Sequence, residues 1–323
     1  MKLTLANVLL LIPIAFLLGL LWAPVWIRVL VHNRIGKQIR AVGPQGHIAK
    51  AGTPTIGGWI FIVATAVVTL TVDRSVTTLL LVGAMVAYGA YGTLDDWMNL
   101  HSSEGLGLRV RWKLLWHLGA SVLLAWLIYQ WYGLRLIYVP WLGAFDIGWL
   151  YIPLGAFVIY ATVSSALIDG LDGLAGGVTS LSYAAYLAIA LAMGLSSLAS
   201  FLAAAIGAVL AFLWFNVHPA RVFMGDAGAL ALTAALAMAS LMSGWVLLLP
   251  IIGVVFVAET LSVCLQIASF RLRKGKRIFK MTPIHHHFEL SGWPEVQIVQ
   301  RFWLIGAVAA AVGISLALTA LAA

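Results

Sequence analysis

Residues 4–30 read TLANVLLLIPIAFLLGLLWAPVWIRVL, and this stretch decides the class of fold. A helix needs about 20 mainly apolar residues to cross the hydrocarbon core of a bilayer, which is about 30 Å thick. The stretch meets this length and contains a single charged residue, Arg28. It is too long for a signal peptide and lacks a small-residue cleavage site. We therefore predict a membrane-spanning helix here.

Comparable apolar runs recur along the whole chain. Hydrophobic residues make up 63% of 323 positions and charged residues 9%, whereas a water-soluble domain of this size needs a charged exterior. The sequence predicts an all-α, polytopic integral membrane protein of about ten transmembrane helices, with residues 1–323 forming one domain. The predicted spans are 4–30, 56–72, 76–94, 114–131, 148–168, 177–194, 198–215, 227–243, 245–270 and 302–321.

The positive charges indicate the orientation of these spans. Of the 19 Lys and Arg residues, 16 lie near the segments 28–54, 95–113, 216–226 and 271–301. The positive-inside rule puts these segments in the cytoplasm and both termini outside it. The net charge of +8 then reflects topology, so nucleic-acid binding is not indicated. The lone Cys264 excludes an intramolecular disulfide. The absence of a convincing internal repeat weakens a transporter interpretation.

Acidic side chains gather on the predicted cytoplasmic face. Five of them, Asp95, Asp96, Asp169, Asp172 and Asp226, lie at predicted span ends. Glu104, Glu289 and Glu295 lie on the same face. Carboxylates near a membrane are costly unless they are paired or bind a cation, so a shared site is the leading hypothesis and helix-end solvation the alternative. Together with phosphate oxygens, carboxylates are typical ligands of Mg²⁺.

Spacing adds detail to this hypothesis. Asp169 and Asp172 share a face if the turn that holds them is helical. Asp95 and Asp96 are adjacent, so they cannot point the same way on a helix. Glu259 lies within the ninth predicted span, where we expect it to pair inside the bundle. The predicted active-site loops lie near 31–55, 95–113, 169–176, 216–226 and 271–301.

Two loops carry further signals. Lys50-Ala-Gly-Thr-Pro-Thr-Ile-Gly-Gly58 could bind phosphate before a helix, although glycine and proline also simply mark a loop. The basic run 271–280 suggests a membrane-surface anchor. The consecutive His285, His286 and His287 could bind zinc, but adjacent residues seldom ligate one metal together. Contact with phosphate, sugar or peptide is the favoured alternative.

Five motifs together carry a family resemblance: Ala51–Gly58, Asp95-Asp96, Asp169–Gly177, Asn216–Asp226 and Pro283-Ile-His-His-His-Phe-Glu-Leu-Ser-Gly-Trp-Pro294. On these motifs the chain resembles the phospho-N-acetylmuramoyl-pentapeptide-transferase family over essentially its whole length. The aspartate motifs are shared by the wider superfamily of polyprenyl-phosphate sugar-1-phosphate transferases. The triple-histidine segment is similar to the pentapeptide transferases in particular.

The resemblance implies a multi-pass protein of the bacterial inner membrane with ten spans, a cytoplasmic site, a Mg²⁺ requirement and a homodimer. It also implies transfer of phospho-MurNAc-pentapeptide from UDP-MurNAc-pentapeptide to undecaprenyl phosphate, which yields lipid I and UMP for peptidoglycan synthesis.

The resemblance also implies a role for each matching residue. Asp226 would hold Mg²⁺, Asp95 would position or deprotonate the lipid phosphate, and Asp96 would support the site. His285, His286 and His287 would contact substrate. The other implied substrate-binding residues are Lys50, Thr55, Asp169, Asp172, Asn216 and Phe223. We also predict that Lys113 and Gly225 bind substrate.

The chain departs from the family pattern at four positions. Asn99 replaces a Lys, Val163 and Ala166 replace two Asn, and Ile168 replaces a Thr. Arg109, Arg111 or Lys113 could supply the missing charge. These departures keep open a catalytically impaired paralogue acting as lipid binder or scaffold. A sibling transferase that uses another UDP-N-acetylhexosamine is the remaining alternative.

Overall fold

The computed structural model describes residues 4–36, 52–102 and 108–322. Within these ranges the chain is mainly helical, and nine helical segments are long and apolar enough to cross a membrane. An additional apolar helix of 14 residues corresponds to the second predicted span. The prediction of an all-α polytopic membrane protein is therefore confirmed. The helices are α1 (Leu5–His32), α2 (Trp59–Val72), α3 (Val76–His101), α4 (Val110–Leu127), α5 (Tyr151–Ser164), α6 (Leu174–Ala192), α7 (Ser196–Asn216), α8 (Gly225–Met242), α9 (Leu249–Ile252), α10 (Val254–Leu272), α11 (Ile284–Glu289) and α12 (Glu295–Ala322).

Helices α7 and α8 form the centre of the bundle. Most of their residues are buried, whereas α1, α4 and α12 expose most of their apolar surface. Small residues on α7 allow neighbouring helices to approach closely, as expected where helices pack without a hydrophobic drive between them. A Cβ built on Gly207 would lie 2.0 Å from the carbonyl oxygen of Ile12 on α1. Gly207 thus permits the contact between α1 and α7.

The ninth predicted span is interrupted. The sequence predicts one helix over 245–270, but the structure has a 3₁₀ turn (Val246–Leu248), the short α9 and then α10. The break falls at Gly253, between α9 and α10, and Pro250 lies just before it within α9. Glycine costs helix stability, which explains the end of α9 at this point.

The connection between α4 and α5 holds the only β-structure in the described ranges apart from an isolated bridge between Gly36 and Pro54. Strands β1 (Leu136–Val139) and β2 (Gly143–Asp146) pair as an antiparallel hairpin, with Leu136 opposite Asp146. The sequence analysis assigned no structure to this segment. The hairpin packs at the end of α8, where the N–H of Tyr138 donates to the carbonyl of Gly244.

The helix ends position the predicted site. Ion pairs and hydrogen bonds join the C-terminal part of α3, the start of α4 and the start of α8, and a hydrogen bond joins the turn before α6 to the segment before α8. These parts therefore lie at one end of the bundle. We call this the aspartate end, because it carries Asp95, Asp96, Asp169, Asp172 and Asp226. Asp73, between α2 and α3, lies at the opposite end.

Candidate functional site

The first cluster at the aspartate end joins three helices through one lysine. Asp95 on α3 is buried, with 3% of its surface exposed. Lys113 on α4 hydrogen-bonds Asp95 Oδ2 through Nζ, and the same Nζ lies 3.7 Å from Oδ2 of Asp226 on α8. The N–H of Leu108 donates to Asp95 Oδ1 at 2.8 Å. Both oxygens of Asp95 are therefore occupied, whereas the side chain of Asp226 is half exposed.

Asp96 points away from its neighbour, as the sequence predicts for adjacent helical residues. Its Oδ2 accepts a hydrogen bond of 3.1 Å from the N–H of Ala227, in the first turn of α8. A carboxylate at a helix N-terminus is favoured, because the first N–H groups are unpaired and carry partial positive charge. Asp96 thus fixes the start of α8, and with it the position of Asp226.

Glycines make this crowded arrangement possible. Gly225 has a left-handed φ of 68°, and a Cβ built on it would lie 2.3 Å from Asp96 Oδ2 and 2.9 Å from the hydroxyl of Thr55. A Cβ on Gly92 of α3 would lie 2.2 Å from the carbonyl oxygen of Asp226. Side chains at these positions would push α3 and α8 apart.

The segment before α2 is bonded to the segment before α8. The N–H of Phe223 donates to the carbonyl of Pro54, and the N–H groups of Gly57 and Gly58 donate to the carbonyls of Phe223 and Met224. Thr55 and Gly225 are therefore brought beside Asp96. Lys50, predicted from the sequence to bind substrate, lies outside the described residues, as does Glu104.

A second cluster surrounds Asp172, in the turn between α5 and α6. Asp172 Oδ2 lies 3.0 Å from His218 Nδ1 and accepts the N–H of Ala220 at 3.1 Å. Glu295, at the start of α12, accepts the N–H of Asp172 through Oε1 and lies 3.6 Å from His218 Nδ1 through Oε2. One ligand atom each from Asp172, His218 and Glu295 lie within 4.8 Å of one another, so this group could hold a metal ion.

Asn216 and Trp303 fasten the same turn. The Asn216 side chain accepts the N–H of Gly173 at 3.0 Å and donates to the carbonyl of Val222 at 2.9 Å. The indole N–H of Trp303 donates to the carbonyl of Gly173. Both polar atoms of the Asn216 side chain are thus engaged with backbone, and its predicted contact with substrate stays a prediction.

The turn 169–173 is not helical, so Asp169 and Asp172 do not share a helical face. Asp172 faces His218 and Glu295 and so belongs to the second cluster. The loop 217–224 leads to the start of α8: its Ala220 donates to Asp172, and its Phe223 donates to Pro54 in the segment before α2.

The three histidines have three different environments. His285 is fully buried, and its Nδ1 lies 3.0 Å from Oε2 of Glu259, which confirms that Glu259 pairs inside the bundle. His286 Nδ1 lies 2.6 Å from Glu289 Oε2. His287 Nδ1 accepts the N–H of Lys280 at 3.1 Å. The contacts of all three with substrate stay predictions.

The structure also locates the departures from the family pattern. Val163 and Ile168 are buried among apolar residues, and Ala166 is half-buried. Of the three candidate cations named from the sequence, Lys113 lies on Asp95. The first cluster therefore contains an ammonium group, although Asn99 cannot supply one.

Sequence reasoning did not assign His218 or Glu295 to the site. His218 lies inside the quoted motif Asn216–Asp226, and Glu295 directly follows the histidine-rich segment. The motifs could therefore have indicated both residues. Their partner Asp172 is 46 and 123 residues away, respectively, which hides the contact from any local pattern.

Comparison with known proteins agrees with this architecture. Residues 78–244, slightly more than half of the chain, match the family model described as glycosyl transferase family 4. The chain is 43% identical over 332 residues to phospho-N-acetylmuramoyl-pentapeptide-transferase of Chloroflexus aurantiacus, covering 97% of this chain and 90% of the relative. The protein of the same name from Thermoanaerobacter sp. is 40% identical, with 94% and 97% covered. That from Heliobacterium modesticaldum is 43% identical, with 94% and 96% covered. The chain belongs to the phospho-N-acetylmuramoyl-pentapeptide-transferase family.

Proposed function

We propose that this protein transfers phospho-MurNAc-pentapeptide from UDP-MurNAc-pentapeptide to undecaprenyl phosphate, forming lipid I and UMP. The reaction takes place at the aspartate end of the bundle, on the cytoplasmic face of the bacterial inner membrane. Family membership along nearly the whole chain supports the reaction. One structural observation carries the site: Lys113 Nζ lies between Asp95 and a half-exposed Asp226.

The residues of the first cluster fit a Mg²⁺ ion. Asp95 and Asp96 already accept hydrogen bonds, whereas Asp226 keeps half of its side chain exposed. Three ionised carboxylates beside one ammonium group would leave two negative charges uncompensated. Mg²⁺ is commonly held by one or two carboxylates together with substrate phosphates, so Asp226 would be its ligand. The ion would neutralise charge on the diphosphate of the donor.

The protein then has to position two phosphates and stabilise charge, which is most of what phosphoryl transfer requires. Asp95 holds Lys113, and the ammonium group of Lys113 binds phosphate oxygens. An oxygen of undecaprenyl phosphate attacks the phosphorus that carries the sugar. The bond from that phosphorus to the UMP oxygen breaks, and its electron pair leaves with UMP.

The other residues predicted from the sequence are also assigned roles in this proposal. Thr55 and Gly225 lie beside Asp96. We assign them, together with Lys50, Asp169, Asp172, Asn216, Phe223, His286 and His287, to binding of the donor or the lipid phosphate. The contacts of Asp172 with His218 and Glu295 also hold the turn between α5 and α6 in place.

The test is a reconstituted assay. Purified protein in detergent receives UDP-MurNAc-pentapeptide, undecaprenyl phosphate and Mg²⁺, and UMP release is measured. We expect UMP and lipid I in equal amounts. A second arm with UDP-N-acetylglucosamine as donor should give no product. Product only in that second arm would favour a sibling transferase, and no product in either arm would contradict the proposal.

The same assay without acceptor lipid distinguishes two chemical routes. Direct attack by the lipid phosphate predicts no UMP release in the absence of undecaprenyl phosphate. A route through a covalent aspartyl intermediate predicts a burst of about one UMP per protein. We propose direct attack, because a phosphate monoester is largely ionised near neutral pH and is already nucleophilic.

A further inference from the structure

Glu259 and His285 form a buried pair outside the two clusters. Glu259 lies in the second turn of α10, and His285 lies near the start of α11. Neither side chain has exposed surface, and His285 Nδ1 lies 3.0 Å from Glu259 Oε2. Burying such groups is costly, and removing one partner leaves the other uncompensated. The orientation of the imidazole ring is therefore set by Glu259.

The far side of this imidazole ring lies against the turn between α5 and α6. A Cβ built on Gly170 would lie 2.1 Å from His285 Nε2 and 2.8 Å from Cε1. Among the described residues Nε2 has no hydrogen-bond partner, so the ring acts on Gly170 by packing. Gly170 follows Asp169 and comes two residues before Asp172. The ring thus packs on the backbone segment that carries both carboxylates.

We propose that Glu259 is a positioning residue: it holds the imidazole of His285 against Gly170 and so fixes the backbone that presents Asp169 and Asp172. The inference rests on the proposed function, in which this turn binds the donor. It gives His285 an indirect role, through the turn, which differs from the direct substrate contact predicted from the sequence. The complete burial of the ring favours the indirect role.

Substitution of Glu259 tests the hydrogen bond. Glu259→Gln keeps an oxygen that can accept the Nδ1–H of His285, whereas Glu259→Leu removes it. We expect Glu259→Gln to keep the KM for UDP-MurNAc-pentapeptide within about threefold and Glu259→Leu to raise it about tenfold or more, with a smaller change in kcat. Thr260→Val is the matched control, because it changes the next residue of α10 without touching His285, and it should leave KM unchanged.

Coupling between positions 170 and 285 tests the packing. Gly170 does not have a left-handed φ, so Gly170→Ala meets no backbone penalty and only collides with the ring. Gly170→Ala should raise the donor KM about tenfold or more. In Gly170→Ala combined with His285→Ala, the new methyl occupies space that the ring has left. The double variant should therefore have a lower KM than the product of the two single effects predicts.

Each result bears on a definite claim. A folded Glu259→Leu variant with unchanged KM would overturn the positioning role. So would a double variant, Gly170→Ala with His285→Ala, whose change in KM equals the product of the two single changes. In either case, activity of the wild type would still support the proposed function. Inactive wild-type protein overturns both. If Glu259→Leu fails to fold, as judged by thermal unfolding, the Gly170 and His285 variants alone decide.

Discussion

Lys113 is the residue on which the first cluster depends. Its Nζ contacts Asp95 and lies 3.7 Å from Asp226, so a single ammonium group joins α3, α4 and α8. The sequence offered Arg109, Arg111 and Lys113 as candidates for this charge, and of these only Lys113 was also predicted to bind substrate. Only the packing of α4 beside α3 distinguishes them, because residues 111 and 113 point to different faces of a helix.

Lys113→Gln should lower kcat for UMP release by about 10²- to 10³-fold, the loss expected when one preorganised charge is removed from a transition state. The matched control is Arg111→Gln, which removes a cation from the same helix. Arg111 lies over the ring of Trp112, 5.6 Å from its centroid, so this variant should stay within about threefold of wild type. Equal losses of kcat in Lys113→Gln and Arg111→Gln would show that the positive charge of Lys113 acts only at long range.

At the scale of single residues, the local orientation of a side chain was easier to predict from the sequence than the distant residue that it contacts. The divergence of Asp95 and Asp96 followed from helix geometry, and the internal pairing of Glu259 followed from the cost of a buried charge. The contact between Asp172 and Glu295 did not follow from either, because 123 residues separate them. The burial of His285 was not predicted, because its partner Glu259 lies 26 residues away and the triple-histidine segment was interpreted as a loop that contacts substrate.

At the scale of elements, the close approach of α3 to α8 places Asp226. Gly92→Ala should force these helices apart, because the new methyl would lie 2.2 Å from the carbonyl oxygen of Asp226. Overpacking of this kind typically costs about 1–3 kcal/mol. We expect a lower Tm and a loss of UMP release that exceeds the loss of folded protein.

Gly83→Ala is the control on the same helix. A Cβ at Gly83 meets no atom within 4 Å, and alanine is favoured over glycine in a helix. This variant should match or slightly exceed wild type in Tm and keep full activity. If Gly92→Ala and Gly83→Ala had the same Tm and the same activity, α3 and α8 would tolerate separation without loss of stability or function.

At the opposite end, Asp73 begins the turn into α3. Burial raises the pKa of Asp73, but hydrogen bonds from Thr78, Ser197 and Ser75 outweigh burial and lower that pKa below its ordinary value of 3.8. A lowered pKa stabilises the folded state at pH values above 3.8, and this stabilisation is lost as the pH falls through the folded-state pKa. Asp73→Asn should therefore lower Tm at pH 7.

The difference in Tm between wild type and Asp73→Asn should shrink below pH 3.8, as thermal unfolding in detergent would measure. A difference in Tm that stays constant down to pH 3 would contradict the role of the carboxylate.

Element boundaries elsewhere were predicted with mixed success. The gaps between predicted spans at 72–76 and 194–198 coincide with turns of the structure, whereas the break at Gly253 and the hairpin at 136–146 were not predicted.

At the scale of the whole molecule, the distribution of charge predicts the orientation. The basic loops should face the cytoplasm, so residue 74 should lie outside and residue 273 inside. In a Cys264→Ser background, a membrane-impermeant maleimide should label Arg74→Cys in intact cells and Arg273→Cys only after permeabilisation. The reverse pattern would place the aspartate end outside, where a cytoplasmic nucleotide sugar cannot reach it.

The class of fold followed from composition and apolar run length, because a bilayer imposes both on any helix that crosses it. The site could be predicted only as a set of residues at one end of the bundle. Its division into two clusters, joined by the loop 217–224, depends on tertiary contacts such as that of Ala220 with Asp172. These contacts have no local sequence signal.

The most direct test of the account is the Mg²⁺ dependence of UMP release by wild type and Asp226→Asn. Wild type should release UMP with Mg²⁺ and stop when EDTA is added. Asp226→Asn should lose at least about 100-fold at every Mg²⁺ concentration while keeping the Tm of wild type within a few degrees. Near-normal turnover by folded Asp226→Asn, or undiminished wild-type turnover in EDTA, would contradict it.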